Sequence, residues 1–128
     1  MKGLNKVFIM GNIGNDPELK LTNKGKNFAR LSIATNSFRI NPETGEKEKD
    51  TAWHSVFVWG KQGEHCAQYL RKGAPVLVEG YLSPFTSVDK SGERQFRVSI
   101  HADRVDFLPT PGSRSIEPKF EPEERIEY

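Results

Sequence analysis

The stretch Thr51-Ala52-Trp53-His54-Ser55-Val56-Phe57-Val58-Trp59 decides the fold. It is rich in β-branched and aromatic residues, so it reads as a strand, and side chains alternate across a strand. Trp53, Ser55, Phe57 and Trp59 share one parity while Ala52, Val56 and Val58 share the other, which makes both faces largely apolar. The small aliphatic set fits a core. The second face presents aromatic rings, with Lys61 just beyond the last of them. A nucleobase is a flat, weakly hydrated π-surface joined to a phosphate, so aromatic platforms beside cations suit unpaired nucleic acid and need not read its hydrogen-bonding edges.

Strand patterns continue on either side. Leu4 to Met10 is one; Phe28 to Thr35 is another, with Ala29, Leu31 and Ile33 alternating with Phe28, Arg30, Ser32 and Ala34, so that Phe28 and Arg30 share an outer face. Residues 12–17, 22–26 and 41–49 are rich in Asn, Asp, Gly, Pro and charge and read as loops. Gly60 to Gly73 carries a helix pattern, with Cys66, Ala67, Tyr69 and Leu70 grouped on one face, Arg71 and Lys72 at the dipole's negative end and Gly73 as a stop. Pro75 to Leu82 resumes the strand pattern, and Asp89-Lys90-Ser91-Gly92 turns into a last strand from Arg94 to Phe107. In that strand Phe96, Val98, Ile100 and Ala102 are in phase but Val105 and Phe107 are not, which predicts a bulge or bend near Asp103 and Arg104.

An all-β chain of five strands, with one helix between the third and fourth, has the order of a five-stranded Greek-key barrel, the OB-fold, whose helix caps one barrel mouth. From Pro109 onward proline, glycine and charge replace alternation, so the domain is expected at 1–108 and a flexible, disordered acidic tail at 109–128. Lys and Arg number 16 against 12 Asp and Glu in residues 1–108, a balance of +4, and 3 against 5 in the rest, a balance of −2. Body and tail have opposite signs.

The 128 residues suffice for one domain and its core, and a formal charge of +2 excludes a strongly polycationic chain. Cys66 is the only cysteine, so neither an intrachain disulfide nor a thiolate metal cluster can form within one chain. The first apolar stretch is too short for a signal peptide, and no run approaches the ~20 apolar residues of a membrane span, so a cytoplasmic protein is expected. Catalysis has little support. His54, His65, His101 and Cys66 show no recognised ligand spacing, Gly11-Asn12-Ile13-Gly14 is not a phosphate loop, and there is no nucleophile elbow. The expectation is a binding protein, not an enzyme, without metal or cofactor.

Several dispersed blocks carry a family resemblance: Asn5-Lys6-Val7, Gly11 through Glu18, Ala34-Thr35, Thr51 through His54, Gly60-Lys61, Tyr69 through Gly73 and Val78-Glu79-Gly80. In order and spacing, over roughly residues 4–107, the chain resembles bacterial-type single-stranded DNA-binding proteins. The resemblance implies an OB-fold subunit of a cytoplasmic, nucleoid-associated homotetramer that wraps single-stranded DNA in replication, recombination and repair. It implies base stacking on Phe38, Trp53 and Trp59, with Phe38 where the family commonly has tryptophan. A further family aromatic aligns near Ser87; Phe85 is the candidate to replace it, and strand parity leaves its direction open. The matching cations are Lys6, Lys20, Lys61 and Lys72, to which Arg30 is added from the outer face of its strand as a phosphate contact, and His54 matches a position near subunit contacts.

Ser83 and Phe85 stand where the family has arginines. The end, Glu123 to Tyr128, keeps acid and a terminal aromatic but lacks the family's aspartate cluster and Pro-Phe tip, through which replication and repair proteins are recruited. These departures define the alternative, an OB-fold protein-interaction adaptor of primosome type with reduced DNA wrapping. Stacking and phosphate attraction leave RNA against DNA open, and strand periodicity leaves dimer against tetramer open.

Overall fold

In the computed structural model, residues 1–109 are described. They form β1 (Val7–Ile13), β2 (Leu19–Leu21), β3 (Asn27–Ile40), β4 (Lys47–Trp59), α1 (Gly60–Tyr69), β5 (Pro75–Val88) and β6 (Arg94–Phe107). Hydrogen-bonded neighbours run β1-β5-β6-β4-β3-β2, and an extra β1–β3 pairing joins the ends. Every strand pair is antiparallel except β4–β6, which meets in parallel at Val56↔Ile100 and Phe57↔His101. The five long strands make a closed barrel with the helix inserted where expected, between β4 and β5 once the short β2 is counted, consistent with an OB-fold.

Alternation fills the barrel. Ile9 and Ile13 of β1, Ala29, Leu31 and Ile33 of β3, Val56 and Val58 of β4, Val76 and Val78 of β5 and Ile100 and Val105 of β6 form one buried cluster, closed by Cys66 and Leu70 from the helix end. Burial pushes the Cys66 thiol up to about 12, so it serves as a small apolar side chain. Gly63 brings the helix onto the barrel, since a Cβ there would strike the Val58 carbonyl.

The predicted bulge is real. Glu79 pairs with Arg104 and the next residue, Gly80, with Ala102, so Asp103 is the extra residue of β6. A bulge shifts the phase of the residues beyond it, and Val105 thereby returns to the core. Gln62 of the helix caps the site, donating to the Asp103 carbonyl at 3.0 Å and accepting from Val105 N at 3.2 Å.

Several boundaries differ from expectation. β1 starts at Val7 and runs through Asn12 and Ile13, read as loop, because Ile13 is buried and pairs with Ile33 at the barrel seam. β3 and β4 extend past Thr35 and back to Lys47 as an arm, where Arg39 pairs with Glu48 and Asp50 across the ladder. β5 continues through Pro84 to Val88, and β2 has no counterpart among the expected strands. The helix ends at Tyr69, not Gly73; Tyr69 points to solvent, and Arg71 donates to the Ala67 and Leu70 carbonyls from beyond the helix. Phe96 and Val98, in phase with Ile100, are exposed because the β5–β6 hairpin projects past the barrel. The tail expected at 109–128 falls, from residue 110 on, outside the described residues. Among the described residues no helix is long and apolar enough to cross a membrane.

Gly80 sits at the bulge with no room for a side chain, since a Cβ would meet the His101 carbonyl and lie 3.0 Å from Ala102 Cα. Gly80→Ala is expected to cost about 1–3 kcal/mol of stability, read as a lowered urea midpoint at unchanged slope.

Candidate nucleic-acid interface

The outward parity of the barrel strands carries a row of rings. Phe28 of β3 lies 5.0 Å from Trp59 and 5.6 Å from Phe57 of β4, centroid to centroid. Phe57 lies 5.6 Å from His101 of β6, which lies 6.0 Å from Trp59 and 5.6 Å from Tyr81 of β5. The register produces this row, because Phe28↔Trp59, Phe57↔His101 and Tyr81↔His101 are directly opposed pairs. It crosses β3, β4, β6 and β5 in that order.

Further rings lie beyond this band. Trp53, on the same face of β4, is 61% exposed, and its ring leans on the backbone of Gly14, where a Cβ would collide with Cζ3. Phe38 is 58% exposed on the β3–β4 arm, with the Lys47 ammonium 4.6 Å above its ring, a cation–π contact. Phe85 is 46% exposed on β5 and shares parity with Tyr81, so it belongs to the aromatic side of its strand. By register Trp59, Trp53 and Phe38 succeed one another along a single ribbon, Phe38 standing opposite Lys49, four residues beyond Trp53. At about 3.3 Å per residue, the ten residues from Trp59 to Lys49 span roughly 33 Å.

The cations are less free than their sequence suggests. Arg30 Nε donates to Ser55 Oγ at 2.9 Å between Phe57 and Trp53, on the ring-bearing face. Lys20 and Arg30 share the wall of a shallow pocket of about 330 Å³ with Asp16 and Glu18. The Lys6 ammonium lies 2.9 Å from Glu79, whose hydrogen bond and charge raise its pKa. Lys61 is exposed in the first helical turn, and Lys72 is exposed with its backbone N–H bonded to Asp16 Oδ1 at 2.8 Å. His54 lies on the opposite parity of β4, half-buried, its Nε2 3.0 Å from Thr35 Oγ1, away from the ring face. Among the described residues no group of three His, Cys, Asp or Glu is placed to hold a metal.

The sequence points to Phe38, Trp53, Trp59 and Phe85 and misses four members of the band as site residues: Phe28, Phe57, Tyr81 and His101. Phe28 and Phe57 are legible from parity. Tyr81 and His101 need the β5–β6–β4 register.

A closed five-stranded barrel with a ring-bearing outer face is the OB architecture in a form that binds nucleic acid elsewhere. The Single-strand binding protein family model matches residues 4–108, and the chain belongs to that family, one of binding proteins and not of enzymes. It is 40% identical over 107 residues to a single-stranded DNA-binding protein of Xanthomonas campestris pv. campestris, covering 84% of this chain and 62% of the relative. To that of Xanthomonas axonopodis pv. citri it is 39% identical over 107 residues, covering 84% and 59%. The chain thus spans about three fifths of the length of these curated relatives. Among solved structures it resembles the Plasmodium falciparum SSB in complex with ssDNA, with a TM-score of 0.72, 31% identity, and coverage of 85% of this chain and 98% of that one. A deletion mutant of the single-stranded DNA-binding protein from Thermus aquaticus gives a TM-score of 0.73 at 30% identity, covering 86% and 53%.

Since a Cβ at Gly14 would strike the exposed ring tip of Trp53 and otherwise meet the Ser32 carbonyl only at ordinary contact distance, Gly14→Ala is expected to swing the indole away while the barrel stays folded. Trp53 emission in a Trp59→Phe background would shift, with an unchanged urea midpoint; an unfolded variant would refute this.

Proposed function

We propose that this protein binds single-stranded DNA without sequence preference and protects exposed strands during replication, recombination and repair. Bases stack on Trp53, Trp59, Phe38 and Phe85, and phosphates are drawn to Lys6, Lys20, Arg30, Lys61 and Lys72. The observation that carries this reading is the exposure of Trp53 and Phe38 along one ribbon that continues into the Phe28–Trp59–Phe57 band. These rings lie on the outer face of a closed barrel whose interior is already filled by aliphatic side chains. The names of the similar proteins agree with the reading.

Stacking is worth about 1–3 kcal/mol per base by truncation, so these rings together account for a large share of the binding energy. A ligand that binds only the open strand shifts duplex melting by mass action. The unit at 1–108 is taken as the DNA-binding domain, and the acidic segment 109–128 as a competitor for its cations and a recruiter of repair proteins, in the cytoplasm. Assembly into a homotetramer, with His54 near the contact, is consistent with the exposed Phe8 and Met10 on β1 and with Phe96 and Val98 on the hairpin, all surfaces that water solvates poorly.

The exposed Leu82, Val88, Phe96 and Val98 also favour the second reading, a protein-interaction adaptor. Fluorescence titration with oligo-dT separates the two. Trp53→Ala is expected to weaken binding about 5- to 150-fold, the equivalent of 1–3 kcal/mol. Unchanged affinity would remove the stacking claim. Binding should also weaken with salt, with a slope of roughly −0.7 per contacted phosphate, while a salt-independent affinity would remove the proposed phosphate contacts.

A further inference from the structure

His101 is bound on both ring nitrogens. The Trp59 indole Nε1–H donates to its Nδ1 at 2.9 Å, and Ser99 Oγ lies 3.1 Å from its Nε2. Ser99 Oγ in turn donates to the Ser83 carbonyl at 3.2 Å. An indole nitrogen can only donate, so Nδ1 must carry a lone pair. The Ser99 hydroxyl proton is committed to Ser83, so Nε2 must carry the hydrogen. The network therefore specifies one neutral tautomer, and through it the plane of Trp59, which lies 13° from that of the imidazole.

We propose that neutral His101 is the positioning residue of the aromatic face, holding the Trp59 indole in its base-accepting orientation, and that protonation of His101 releases the indole and weakens single-stranded DNA binding. This rests on the single-stranded DNA reading given above. A proton on Nδ1 would set two donors against each other at 2.9 Å, and one ring must turn away. Burial between Phe57, Tyr81 and Trp59 already holds the imidazole below the ordinary histidine range.

The surrounding charges do not offset this. On β5 the outward neighbours of Tyr81 are Ser83 and Glu79, and Glu79 is paired with Lys6. On β4 the outward residues Trp53, Ser55, Phe57 and Trp59 do not titrate in this range. Arg30 of β3 stands beyond Phe57, and on β6 itself Arg97 lies four residues before the ring and Asp103 two after it. A histidine whose folded pKa is below its free value binds its proton less readily when folded. The arrangement is complete above the ordinary value of 6.5 and is lost as pH falls below it, through the folded value.

Two measurements decide the matter. In nitrogen-detected NMR of the free protein at about pH 7.5, His101 is expected as the Nε2–H tautomer, and acidification is expected to move the Trp59 indole N–H signal with a midpoint below 6.5. Oligo-dT affinity is expected to fall a few-fold as pH drops through the His101 transition and then to level off, since the protein with a released indole still binds through its other rings and the loss is bounded by the difference in affinity between the two states. His101→Phe keeps a ring but has neither acceptor nor proton; it should bind a few-fold more weakly at about pH 7.5 and lose this acid dependence. His101→Asn, with an acceptor near the Nδ1 position, should recover part of the affinity without the pH slope. An Nδ1–H tautomer, an equal acid slope in His101→Phe, or affinity that rises on acidification, as an imidazolium–phosphate contact would give, overturns the proposal. Failure to bind oligo-dT at any pH would remove the DNA reading itself, while the tautomer measurement would still decide the lock.

Discussion

The parallel contact between β4 and β6 is the constraint on which the rest depends. It consists of Val56 against Ile100 and Phe57 against His101. The first pair faces inward and belongs to the buried cluster; the second faces outward and joins the two halves of the ring row. A slip of one residue would exchange the faces, burying an imidazole and exposing Ile100. The bulge at Asp103 then lets one strand serve two phases, Ile100 before it and Val105 after it both reaching the core. Gln62 satisfies the backbone that the bulge takes out of the ladder, so helix and closure are tied to the same short segment.

How much of this is legible in the sequence depends on how local each signal is. Thr51–Trp59 announces its two faces through period-2 alternation, and the phase change after Ala102 announces the bulge; both can be read from a handful of neighbouring residues. Ser37–Ile40 lie past the strand read to Thr35, and Lys47–Lys49 look like loop because their composition is polar. They are strands because each has the other as partner, and Arg39 against Glu48 and Asp50 is a cross-strand relation that no window along the chain contains. Leu19–Leu21 is too short for a period to show. In the sequence His101 looks like a stray ligand candidate, because its partner Trp59 is 42 residues away.

The rings fall into two physical kinds. Phe28, Phe57 and Trp59 touch one another or His101, so their rotamers are largely set by the fold itself. Such preorganised surfaces lose little side-chain entropy on binding, but part of each face is already covered. Trp53 and Phe38 offer more open surface, 61% and 58%, and have more freedom to lose. Gly14 beneath the one indole and Lys47 above the other ring reduce that freedom from opposite sides. On the proposed reading, the band suits a fixed anchoring point, and the outlying rings suit a path that adapts to whichever bases come next along the strand.

On the proposed reading, charge is the less decisive term. Lys6 must leave Glu79 to meet a phosphate, Arg30 already bonds Ser55, and Lys20 shares its pocket with Asp16 and Glu18. Each such exchange replaces one favourable contact by another in high-dielectric surroundings, where ion pairs have modest net effect. Stacking a base on Trp53 displaces no comparable partner from the open face of its ring. On the proposed reading, a fold that spreads cations around the barrel leaves affinity to the aromatic surfaces, and orientation of those surfaces to the hydrogen bonds beneath them, foremost the one from Trp59 to His101.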